Sequence, residues 1–274
     1  MDFFDIWFAR TTQSLTGWLI LFSLAVILEF AASRDGNRTL RLHGLSFWLA
    51  WVPATILVDL IIQSGRDAIG ITPLVILPID FALGGWLAVV VASLIAAFGG
   101  DLIFYFIHRA QHRWFWRFHA VHHSITDLSA VNSYHHISEE AVRAVLTVAP
   151  MSFIVADTTN VLPILTAVLW FQSIYIHSTI KYNFGPLRFA LLDNCFHRVH
   201  HSVEPRHFDC NYGAFTTLWD RIFGTAYMPG RNEWPETGIV EARQPASLIE
   251  WLNLPFRIKR AGPSRAASQV ATEA

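Results

Sequence analysis

The chain has 274 residues, of which 53% are hydrophobic and only 15% charged, against about 25% charged in an ordinary soluble domain. Twenty Lys+Arg against 21 Asp+Glu give a net charge of −1, so no global basic field invites nucleic acid. A mean hydropathy of +0.37 with 11 Trp and 21 Phe points to surface exposed to lipid rather than to two packed soluble cores.

Residues 15–32 are apolar except for Glu29 and predict a first membrane helix. Residues 45–62 predict a second, interrupted by Pro53 and Asp59. The segment 69–80 is apolar but short and holds Pro73 and Pro78, so it is expected to enter the membrane and turn back. Between Phe81 and Ile107 lies the best single span, whose ionisable residues are Asp101 and Tyr105. Residues 144–176 form another apolar block, broken at Asp157–Asn160 and flanked by Pro150 and Pro163, which reads as a helical hairpin with both ends on one side. Residues 246–258 mix Leu, Trp and Phe with nearby Arg257 and Lys259 and predict a short helix at the lipid surface. Residues 262–274 turn to Ser, Ala and Thr and are expected to be disordered.

Basic residues set the orientation. With the amino terminus outside, only Arg10 and Arg66 face out, and the other 18 Lys+Arg fall on the cytoplasmic side. No basic stretch precedes the first apolar run and no small-residue cleavage site follows it, so that run is expected to remain as an anchor. Arg outnumbers Lys 18 to 2, which with abundant Ala points to a GC-rich bacterial source, so the membrane expected is a bacterial inner membrane with the histidine clusters facing the cytoplasm. The fold expected is all-α: a multi-pass membrane bundle with a cytosolic helical cap.

All but one of the 13 histidines lie between His108 and His207. His108 and His112 (HRAQH) share one helix face at the end of the long span. His119, His122 and His123 (HAVHH) repeat as His197, His200 and His201 (HRVHH), each offering i, i+3 and i+4 to a common side. Imidazoles suit iron, zinc, copper or nickel, and such an ion takes about four to six donors, so eight histidines imply two ions. His136 and His177 are the further donors expected. His43 reads as a solvated residue, and His135 and His207 as supporting or structural. Asp101 falls on one stripe with Tyr105, His108 and His112, where its carboxylate is expected either to hold a ligand imidazole or to pack against a neighbouring hydroxyl. Asp127, Asn132, Glu139, Asp209 and Asn211 are comparable supporting candidates. Cys195 and Cys210 cannot supply the four thiolates that an iron–sulfur cluster normally needs.

These boxes, in this order, resemble the fatty acid hydroxylase/sterol desaturase superfamily of integral-membrane di-iron oxygenases. The likeness extends to DLIFYFIHR before the first box, to His136-Ile137-Ser138-Glu139 where the family has HPxE, to His177-Ser178, and to NYG and WDRIFGT after the last box. It spans roughly residues 98–226. Ile137 replaces the family's Pro, which leaves the choice between His135 and His136 open. The resemblance implies two iron ions, replaceable by zinc in recombinant material, with O2 as co-substrate. It also implies a lipophilic substrate (sterol, fatty acyl, alkyl ether or carotenoid) that is hydroxylated or desaturated.

No dinucleotide fingerprint is present, so electrons are expected from a separate ferredoxin, cytochrome or reductase. Arg109, Arg113, Arg117, Arg188, Arg198 and Arg206 are candidates to dock it. The expected division is residues 1–97 as amino-terminal membrane helices, 98–230 as the catalytic domain and 231–274 as interfacial helix and tail. The competing readings are a non-catalytic histidine-rich metal-binding or transport protein and a haem-binding membrane cytochrome.

Overall fold

The computed structural model describes residues 2–32, 44–70, 75–77, 85–148, 154–156 and 163–258. His43 and the expected disordered tail 262–274 lie outside the described residues. Among the described residues, three helices are long and apolar enough to cross a membrane: α1 (Phe3–Ala32), α2 (Leu45–Ala68) and α3 (Gly85–Trp114).

Each helix runs further than its apolar run predicts. The reason at the start of α1 is a reciprocal cap, in which the Asp5 amide donates to the Asp2 carboxylate at 2.8 Å and the Asp2 amide to that of Asp5 at 3.2 Å. At the far end of α3, the helix continues through the polar sequence HRAQHRW because His108, Gln111 and His112 are buried by the cap rather than exposed to water. The outer faces stay apolar and uncovered, with Ile20 64% and Ile27 63% exposed in α1, as lipid contact requires.

α1 and α2 pack through aromatic rings. Trp18 stacks on Trp170 at 5.4 Å and meets Trp48 at 5.1 Å, and the Trp7 indole donates to the Pro53 carbonyl at 2.9 Å. The cap is tied to the same helices by polar contacts. The Trp48 indole donates to the Val131 carbonyl, and Glu29 accepts from the amides of Ala130 and Thr179. The one intramembrane carboxylate of α1 thus clamps two cap loops.

The remaining helices are short. They are α4 (Trp116–His123), α5 (Glu139–Arg143) running into a π-helical turn at Ala144–Val148, α6 (Pro163–Tyr175), α7 (Asn194–His200), α8 (Leu218–Ile222) and α9 (Leu248–Arg257). α7 starts where the Asp193 side chain accepts from the Phe196 amide, and α9 where Ser247 does the same for Glu250. α9 buries Trp251 and Leu254 against Phe47, Trp116 and Tyr134 while leaving Ile249 and Phe256 exposed, the amphipathic pattern expected of 246–258.

In two of the expected segments the described residues include a strand. Within 69–80 the described residues beyond Gly70 form a three-residue strand, β1 (Val75–Leu77). Within 144–176 the described residues of the first arm are the π turn and a second strand, β2 (Ile154–Ala156). The two strands pair in parallel, Val75 with Ile154 through Leu77 with Ala156. β1 lies in the connection between the end of α2 and the start of α3, opposite the histidines. The pairing therefore brings the 144–176 excursion to that far end before α6 returns it to His177.

Candidate metal centre

The site is built where α3, α4, the 132–139 turn, the end of α6 and α7 converge. Nine histidines form two adjoining groups, His108, His112, His119, His123 and His200 in one, and His122, His177, His197 and His201 in the other. All nine are buried. Helical spacing sorts them. In α4, His119 and His123 are one turn apart and enter the first group, while His122 points to the second. In α7 the sorting reverses, with His197 and His201 in the second group and His200 in the first. The groups meet face to face, where the His123 and His201 rings stack at 4.4 Å.

The hydrogen bonds of the outer ring nitrogens decide what the inner ones can do. His108 donates from Nδ1 to the Tyr212 carbonyl at 2.7 Å, and His200 to the Cys210 carbonyl at 2.7 Å. His122 donates to the Tyr134 carbonyl at 3.1 Å and His177 to the Ser173 carbonyl at 2.8 Å. His119 Nδ1 faces the Glu139 carboxylate at 3.0 Å. A carbonyl only accepts, so in each of the four carbonyl-bonded rings the proton sits on Nδ1 and the neutral Nε2 carries a lone pair. Those Nε2 atoms face one another. His108 stands 3.0 Å from His119 and from His200, and His122 stands 3.1 Å from His177, which is 3.0 Å from His197.

Lone pairs crowded at this distance repel unless a cation lies between them. Extra protons are opposed by burial, which pulls His200 and His177 to about 3 and lowers His122, His123, His197 and His201 well below their ordinary 6.5. Two nitrogens bound side by side to a first-row ion at about 2.1 Å stand about 3 Å apart, which is the spacing found. The donor set therefore fits two metal ions.

Three carboxylates support this arrangement. Glu139 accepts from Gln111 at 2.9 Å and faces His119 and His135. Burial pushes its carboxyl up, but the two imidazoles outweigh that and hold it below the usual carboxylate range. Asp101 does not reach an imidazole. It accepts from the amides of Ala214, Phe215 and Thr216 and from the Thr216 hydroxyl, all at 2.8–3.0 Å. Asp220, missed in the sequence, accepts from the amides of Tyr212 and Gly213 and from the Thr225 hydroxyl. Burial pushes it up to about 6 against those bonds. Together they fix the 210–216 loop, whose Cys210 and Tyr212 carbonyls orient His200 and His108. Asn211 adopts φ 59° and is tied to the Phe196 and Tyr227 backbone. At Gly213 a Cβ would collide with the Thr216 carbonyl oxygen.

Of the ten expected ligands, His136 stands apart. Its Nδ1 is bonded to the Ser138 hydroxyl and its ring packs on Trp251. His135 lies nearer, stacked on His122 at 4.0 Å and facing Glu139. His207 is structural, held by Ser202 and Glu233. Asp127 and Asn132 bond each other and brace the 127–133 turn, while Asp209 accepts from the Tyr212 hydroxyl at 3.1 Å.

Residues 93–225 match the family model described as fatty acid hydroxylase. The chain is 29% identical to an alkylglycerol monooxygenase of Xenopus tropicalis over 49% of this chain and 30% of that protein. It is 31% identical to an ornithine lipid hydroxylase of Rhizobium tropici over 55% and 45%, and 30% identical to a very-long-chain aldehyde decarbonylase of Oryza sativa subsp. indica over 50% and 23%. The matched segment thus spans less than half the length of these relatives. No solved structure matches. All nine converging histidines and the loop that orients His108 and His200 lie within residues 93–225, and this segment, just under half of the chain, is similar to the fatty acid hydroxylase family.

Proposed function

We propose that the protein is a membrane oxygenase that uses two iron ions, O2 and externally supplied electrons to hydroxylate or desaturate an unactivated C–H bond of a lipid. The observation that carries this reading is the pair of inward-facing imidazole groups, whose protons are held on the outer nitrogens by backbone carbonyls. The names of the similar proteins, which refer to alkylglycerols, ornithine lipids and very-long-chain aldehydes, support a lipid substrate.

His108, His112, His119, His123 and His200 would hold one ion, and His122, His177, His197 and His201 the other. When bound, the ions would supply the redox chemistry for reducing O2 with two electrons and two protons, with one oxygen atom entering the C–H bond and the other leaving as water, or both leaving as water when a double bond forms. The chain's part is to fix the imidazoles, keep the site dry and present the substrate from the lipid side. The histidines gather at one end of α3 next to the bilayer, so a lipid need not leave the membrane completely to reach them.

Positive-inside counting supports a cytoplasmic position for the cap in a bacterial inner membrane. Electrons would come from a separate ferredoxin, cytochrome or reductase. Arg188 is withdrawn from any docking role, being buried against Asp193 and the Pro229 carbonyl, and Arg206 is engaged by Glu204 and Glu233. Arg109 and Arg113 are exposed beside the site.

Lipid mass spectrometry of cells expressing the wild type or His122→Ala, with a bacterial ferredoxin and its reductase supplied, tests the reading. A lipid one oxygen atom heavier, or two hydrogen atoms lighter, in the wild type alone is expected. Identical lipid profiles would contradict it.

A further inference from the structure

The two imidazole groups differ in how they meet water. A narrow cleft of about 30 Å³ is floored by His112, His123 and His200, all of the first group, and no residue of the second group lines it. Its walls are Trp116, Ser202, Val203, Phe208, Gly238 and Ile239, and its mouth carries Asp209, Val240 and Glu241, all exposed. His112 is the least committed member of its group. It is buried, yet neither ring nitrogen has a hydrogen-bond partner, and its Nδ1 lies 4.0 Å from the Asp209 carboxylate. A carboxylate pair at the rim of a narrow apolar-walled cleft focuses the field on an incoming cation.

We infer that the cleft is a loading port through which a divalent metal ion enters from water, passing Asp209 and Glu241 and meeting His112 first, to reach the five-histidine group. This rests on the reading of both groups as metal sites. The neutral imidazoles on the floor take the ion as it loses its water. The four-histidine group sits behind the first, its His201 covered by His123, so its ion exchanges more slowly.

The test uses the full chain in lipid nanodiscs loaded with cobalt(II), followed by excess water-soluble chelator, with bound metal counted by mass spectrometry over time. Two equivalents leaving in a fast and a slow phase are expected. His122→Ala should remove the slow phase and keep the fast one. Val240→Trp, at a site 85% exposed where a larger side chain is sterically tolerated, should obstruct the mouth and slow the fast phase several-fold. The double variant Asp209→Asn/Glu241→Gln should slow cobalt uptake about tenfold. Loss of both equivalents with one rate constant, or unchanged rates in both Val240→Trp and the double variant, overturns the port while leaving the metal reading intact. A chain that binds no cobalt at all overturns the metal reading, and the port with it.

Discussion

The five-histidine and four-histidine groups share their ligand chemistry but not their support. In the first, three rings are fixed from outside, by the Tyr212 and Cys210 carbonyls and the Glu139 carboxylate. Two of those acceptors belong to a loop that Asp101 and Asp220 hold in place. In the second, the outer partners are the Tyr134 and Ser173 carbonyls, and the outer nitrogens of His197 and His201 have none. The first group therefore depends on contacts remote in sequence, and the second mainly on α4, α6 and α7 themselves. The difference teaches that two copies of HxxHH, each contributing to both groups, yield two sites with different sensitivities.

The largest effect that sharpens this contrast is removal of one ligand from each side. His200→Ala and His177→Ala are each expected to lose one bound metal ion per chain and to abolish lipid oxidation, as read by metal analysis and lipid mass spectrometry. His136→Ala, outside both groups, is expected to keep both ions. Next comes Glu139→Gln, which removes the carboxylate from His119 and should weaken metal binding by about 10–100-fold, seen as a lower chelator concentration needed to strip the first site. Asp101→Ala leaves three backbone amides and a hydroxyl without their acceptor, and is expected to cost about 1–3 kcal/mol or more. A lower thermal midpoint in detergent would record it, with the five-histidine ion bound more weakly than the other.

The smallest effect concerns acid. Burial lowers His200 and His177 from 6.5 to about 3, so below 6.5 the unfolded chain takes up protons that the folded metal-free chain refuses. Stability is then full above pH 6.5 and declines as pH falls toward about 3. The metal-free protein should melt at a lower temperature at pH 5.5 than at pH 7.5, and an unchanged midpoint would count against neutral buried imidazoles.

Much of this was legible in the sequence because periodicity encodes it. The three long apolar runs and the i, i+3, i+4 histidines define helices and faces without tertiary information. Nine of the ten expected ligands do converge. What escaped depended on distant partners. Asp101 shares its stripe with His108 and His112 as expected, but its partners lie 113–115 residues away, where helix spacing carries no information. His135 faces Glu139 while the His136 ring packs on Trp251 of α9, whose indole bonds the His135 carbonyl 116 residues away in sequence. The pairing of β1 with β2 joins segments that each read as apolar and broken, and composition alone does not reveal a partner.

The most direct test of the central claim is the number of iron ions bound per chain in protein purified anaerobically from iron-supplied cells. The account predicts two in the wild type and one in both His200→Ala and His177→Ala. A wild-type value of one or none, or two ions retained in either variant, would contradict it.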